Sequence, residues 1–169
     1  YDPKVRRAYP ALNNPLPASE REAATFAGLV PRSETLSGPQ ATKAEVMAHW
    51  GGYDCLYFAC HMLQHPGLPF LYFIPLADSA SSSTLTDAYL EPADISAADL
   101  SRCHLVVLSG CSSAVPYSAP NGDEPGIGHA FVDAGARCVV STLWNVRDAD
   151  AATLMSQFAK EYERSPTDP

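Results

Sequence analysis

No apolar stretch in this sequence runs much past about eight residues, well short of the roughly 20 that a membrane-spanning helix needs. The opening segment, Tyr1–Pro17, lacks the basic-then-apolar layout of a secretory leader. Lys and Arg are scarce, 11 against 19 Asp and Glu, and they form no cluster. The resulting net charge of −8 repels phosphate backbones and anionic lipid, so nucleic acid and membrane surfaces are poor partners. No CxxC pair occurs, and the five cysteines are odd in number and sit in or beside apolar runs. That placement argues against a disulfide scaffold or structural zinc and favours a reducing, cytoplasmic compartment. Neither a GxSxG nucleophile elbow nor a glycine-rich phosphate loop is present, and no internal repeat is visible.

What is there suits one compact domain. The chain has 169 residues, 46% hydrophobic and 18% charged, which excludes intrinsic disorder for most of the length. Four prolines in residues 1–17 predict an extended or turning connector, residues 18–164 the domain itself, and residues 165–169 a frayed tail. Ser19-x-x-Glu22 and Thr42-x-x-Glu45 read as capping boxes, each opening a short helix. Asp54–Ala59 reads as a buried strand, His104–Ser109 as a parallel strand covered on both faces, and Arg137–Trp144 as a third strand. Asp94–Leu100 predicts a short helix. Ile127, Ala130, Phe131 and Ala134 predict another, stopped by Gly135. Asp148 caps a last helix whose stripe is Ala151, Leu154, Met155, Phe158 and Tyr162. The alternation of helix and strand is that of an α/β fold with a mainly parallel sheet. Pro66–Thr84 and Ser112–Pro125 read as long polar excursions and as the most mobile parts near a cleft.

In open parallel sheets the ligand crevice lies beyond the carboxyl ends of the strands. Two strands end there in reactive residues: DCLYFA runs into Cys60-His61, and HLVVLSG into Cys111. If these strands are neighbours, imidazole and thiol project from one sheet edge, the geometry a Cys/His pair needs for a thiolate nucleophile. A cysteine after a strand is also commonly just a small buried hydrophobe. Cys60 reads as core because it points to the opposite face from His61, and Cys55, Cys103 and Cys138 read as core too. His49, His65, His104 and His129 lack metal-ligand spacing and read as surface or packing residues. Trp144 is either a core aromatic or the wall of a pocket, and Asp148 either a helix cap or a site carboxylate.

The segments YFACHM, LTDAYLEPADISAADL, HLVVLSGCSSA and, most specifically, GIGHAFVDAGARCVVSTLWNVRDADAATLMSQF resemble the CHAT family. The likeness extends upstream to LPASEREA and ATKAEVMAHW and covers nearly the whole chain. The CHAT family comprises caspase-like domains often found with tetratricopeptide repeats. The resemblance implies a three-layer α/β/α caspase-like fold, with its first strands upstream of Tyr1, and a His–Cys dyad. His61 matches the family histidine and Cys111 the family nucleophile, 50 residues apart, an interval that caspases share. Met62 stands where relatives commonly carry glycine, with its N–H retained, and Ser112 where they carry an acidic residue.

The reading is thus a cysteine endopeptidase with protein substrates. His61 and Cys111 form its dyad, and the backbone N–H groups of Met62 and Cys111 form its oxyanion hole. A tetratricopeptide or sensor region in a parent protein is the implied regulator, and the chemistry requires neither metal nor organic cofactor. Around the expected cleft Arg147 is the single basic residue, whereas Asp123, Glu124, Asp148 and Asp150 are acidic. Asp148 beside Trp144 therefore reads as a substrate-binding pair that favours Arg or Lys before the scissile bond. The alternative is a non-catalytic CHAT-derived scaffold that binds a protein partner.

Overall fold

A computed structural model describes residues 3–65, 68–77, 85–111, 117–119, 122–124 and 126–164. Its elements are α1 (Pro3–Ala8), α2 (Pro17–Leu29), α3 (Lys43–His49), β1 (Cys55–Phe58), β2 (Leu63–His65), β3 (Leu68–Pro75), β4 (Tyr89–Leu90), α4 (Pro92–Ser96), β5 (Leu105–Leu108), β6 (Tyr117–Ala119), β7 (Gly122–Glu124), α5 (Ile127–Asp133), β8 (Val139–Ser141) and α6 (Asp148–Arg164).

The centre is a parallel sheet in the order β1-β5-β8, so the α/β expectation holds. Every residue of β5 is buried, and its side chains alternate between two cores. Leu105 and Val107 face Met155 of α6, joined by Tyr57, Phe158 and Tyr162. Val106 and Leu108 face the larger core of Trp50, Ile74, Leu90, Ile95, Ile127 and Phe131, which belongs to the α3, α4 and α5 side. A continuous apolar run was the expected signature of such a strand, because helices cover both its faces. Lys43 at the start of α3 reaches Asp94 of α4 at 2.6 Å and braces this second layer. Gly135 ends α5 at φ +105°, and a Cβ there would stand 3.0 Å from the Ser101 amide nitrogen, so the predicted helix stop is also a close approach.

Several local expectations are corrected. The proline-rich opening is helical at Pro3–Ala8 and again, as a 3-10 turn, at Pro10–Asn13, and its Leu12 is buried with Leu63, Phe73 and Ala88. Proline at the first position of a helix costs nothing, since that amide has no partner within the helix. Helix α2 likewise starts at Pro17, two residues before Ser19, so Ser19 and Glu22 are buried inside the helix and form no capping box. Thr42 does cap α3, accepting from the Glu45 amide. The first excursion contains β3, which pairs antiparallel with β2 before it and β4 after it, and the second contains the β6-β7 hairpin. Of these excursions, residues 66–67, 78–84, 112–116, 120–121 and 125 lie outside the described residues, as does the expected frayed tail at 165–169. The third strand is shorter than Arg137–Trp144, because its pairing stops where Ser141 meets Leu108, the last residue of β5. Cys138 is exposed rather than core, since it precedes β8 at the outer edge of the sheet. Leu154 is exposed as well, because α6 turns Met155 and Ala159 inward.

Beneath the sheet lies a polar cluster that periodicity does not reveal. Glu22 is 2% exposed, and the Tyr57 hydroxyl donates to its Oε1. Its Oε2 and the Ser109 hydroxyl are buried without a hydrogen-bond partner of proper geometry. Burial pushes the Glu22 carboxyl above its ordinary value; the neighbouring Ser109 and Tyr57 offset this only in part, and the Asp148 charge adds to it. An acid with a raised folded-state pKa stabilises below its unfolded pKa, and that contribution is lost as pH rises through the folded value. Glu22→Gln should therefore melt above the wild type by a few degrees near pH 8, with the gap closing as pH falls through the raised folded value and gone below the ordinary 4.5, when thermal unfolding is followed across that range.

Candidate active site

The site is set by strand register. Phe58 of β1 lies opposite Leu108 of β5, and Leu108 opposite Ser141 of β8. His61, Cys111 and Trp144 each stand three residues beyond those partners, so one parallel ladder delivers all three to the same carboxyl edge. The two chain turns also touch. A Cβ built on Gly110 would lie 2.5 Å from Met62 Cγ and 2.6 Å from the Cys60 carbonyl oxygen, so only glycine fits before Cys111. The Met62 side chain is buried in the core against Gly110.

His61 Nε2 lies 3.0 Å from the carbonyl oxygen of Asn14, in the segment that leads into α2. A carbonyl accepts only, so Nε2 carries the proton and donates it, which makes Nδ1 the acceptor nitrogen of the neutral ring. Cys111 is half-buried, and its thiol donates to the Val146 carbonyl at 3.4 Å. The Thr142 hydroxyl donates to the Gly110 carbonyl, tying the end of β8 to the turn that carries Cys111. Burial pushes the Cys55 and Cys60 thiols up to about 12, and the Cys103 thiol is raised by the same cause, which makes all three poor nucleophiles near neutral pH.

The expected substrate residues separate in their surroundings. Trp144 is 67% exposed and Leu143 61%, so the tryptophan is not a core aromatic. The Asp148 carboxylate is engaged with the first turn of α2: Oδ2 accepts from the Ala18 amide at 2.8 Å, and Oδ1 from the Ser19 amide at 3.0 Å and hydroxyl at 2.7 Å. Asp148 thus caps α2 from another element, while itself being the first residue of α6. Arg147 is paired with Asp150 at 2.7 Å. Sequence reasoning missed Asn14, Gly110 and Thr142. The first acts through its backbone and leaves no side-chain signature, while Thr142 sits within the STLWN segment without a periodic signal.

Among the described residues no three His, Cys, Asp or Glu side chains converge as a metal site, and no helix is long and apolar enough to cross a membrane. The structure therefore defines an α/β protein with a histidine and a cysteine at adjacent ends of parallel strands. The chain belongs to the CHAT domain family, whose model matches residues 2–168. No curated protein matches this sequence.

Asp148 has a carboxyl that desolvation would raise, but the Ser19 hydroxyl, the Ala18 and Ser19 amides and the Arg21 charge together hold it below its ordinary value. Such a group stabilises above its unfolded pKa and loses that contribution as pH falls through the folded value. Asp148→Ala should cost about 1–2 kcal/mol in urea unfolding near pH 7, the usual range for a lost helix cap, and much less near pH 3.

Proposed function

We propose that this CHAT domain is a cysteine endopeptidase acting on protein substrates. The observation that carries the reading is the equal offset of His61 and Cys111 from the paired residues Phe58 and Leu108, with Gly110 packed against Met62 between them. Cys111 transfers its proton to Nδ1 of His61, and the thiolate attacks the peptide carbonyl carbon. The backbone N–H groups of Met62 and Cys111 receive the oxyanion. The imidazolium protonates the leaving amine as the carbon–nitrogen bond breaks, and water then hydrolyses the thioester with His61 as base. These steps call on no metal or organic cofactor. Asn14 holds the imidazole in the tautomer that they use.

Trp144 and Leu143 supply the exposed apolar surface beside the nucleophile, and this reading assigns substrate contact to Trp144. Both Asp148 oxygens are taken by α2, so the carboxylate holds the scaffold, and a preference for Arg or Lys loses its main support. The cytoplasmic setting and a tetratricopeptide or sensor region acting as switch belong to the same proposal.

A peptidyl chloromethyl ketone should add to one thiol, Cys111, as read by intact mass and peptide mapping, and His61→Ala should suppress the adduct. Equal labelling of several thiols, or none, would support the scaffold reading instead. With a cleavable peptide from a positional library, Cys111→Ala should lower the rate by about 10³-fold or more. Trp144→Ala should raise KM about tenfold with little change in kcat, the pattern of lost uniform binding.

A further inference from the structure

The turn that carries Cys111 contains a conflict. No Cβ can be accommodated at position 110, because Met62 Cγ and the Cys60 carbonyl oxygen occupy that space. Glycine is therefore obligatory, and glycine is also the residue whose flanking peptides rotate most freely. Yet the peptide that follows Gly110 bears the Cys111 N–H, one of the two proposed oxyanion donors. A donor of that kind is effective only when it is already aimed at the place where charge develops.

We infer that Thr142 is the positioning residue that resolves this conflict: by donating its hydroxyl to the Gly110 carbonyl, it aims the Cys111 N–H at the oxyanion. This inference rests on the peptidase reading above. The Gly110 carbonyl and the Cys111 N–H belong to one planar trans peptide, in which the two groups point in opposite directions. A hydrogen bond that fixes the oxygen on the β8 side therefore fixes the N–H on the other side. Thr142 is well placed to act as a clamp, since it directly follows Ser141, which the sheet pairs with Leu108. The Met62 side chain closes against Gly110 and limits its remaining freedom. A hydroxyl mounted at a strand end holds its direction better than one on a free loop.

The test uses Thr142→Val, which keeps the branched shape and loses the donor, and Thr142→Ser, which keeps the donor. Each is assayed for peptide cleavage and for alkylation of Cys111 by iodoacetamide, a reaction that forms no oxyanion. Valine should lower kcat about 10- to 100-fold with KM within about twofold, serine should retain most of the rate, and all three proteins should alkylate alike. Thr142→Val cleaving at the wild-type rate would overturn the assignment. So would a parallel loss of cleavage and alkylation, which would mark general disruption of the turn. Should valine prevent folding, as judged by melting, Thr142→Ser against Thr142→Ala carries the same comparison. A wild type that alkylates normally but neither cleaves any peptide nor forms an adduct with peptidyl aldehydes would overturn the peptidase reading itself, and the role of Thr142 with it.

Discussion

The parallel pairing of β5 with β1 on one side and β8 on the other is the constraint on which the rest depends. Four buried residues, Leu105–Leu108, are held between two apolar layers, so the strand cannot slip by one residue without turning both cores inside out. Because that register is fixed, the positions of His61, Cys111 and Trp144 at the carboxyl edge are fixed as well. The site inherits its geometry from packing several residues away from it.

The two helices on one face of the sheet are fastened by charge as well as by apolar contact. Phe26 of α2 packs on Tyr57 with ring centroids 4.4 Å apart and on Tyr162 of α6 at 6.3 Å. At the other end of the same helix, Asp148 takes the first amides of α2. A charged carboxylate there compensates both the unpaired amides and the positive end of the helix. Glu22, one turn further along, meets the opposite treatment. Burial raises its pKa, and its cluster with Tyr57 and Ser109 reaches the residue just ahead of Gly110 and Cys111. Two acids on one face thus have contrary electrostatics, one pulled down by donors and the other pushed up by desolvation.

Close approach governs the turn at Gly110. The packing that brings Cys60 and Met62 against it leaves no room for a side chain and so removes the usual restraint on the backbone. Restraint returns from outside through Thr142, the Val146 carbonyl on the Cys111 thiol and the Asn14 carbonyl on His61. Backbone carbonyls and one strand-end hydroxyl, supplied by segments distant in sequence, do most of the positioning.

Legibility from the sequence follows the same division. The α/β class, the buried central strand, the Thr42 cap, the Gly135 stop and the candidate pair His61 and Cys111 were all readable, because each is written in local chemistry: an apolar run, a capping side chain, a glycine, a reactive residue after a strand. The start of α2, the docking of Leu12, the exposure of Cys138 and Leu154 and the true use of Asp148 were not. Each of these depends on which distant surface arrives to cover a residue or to accept its hydrogen bond. Sequence by itself determined which groups stand at the strand ends. Only the tertiary structure decided what holds them, because a cap given across 130 residues or a carbonyl lent by a neighbouring segment has no local pattern to betray it.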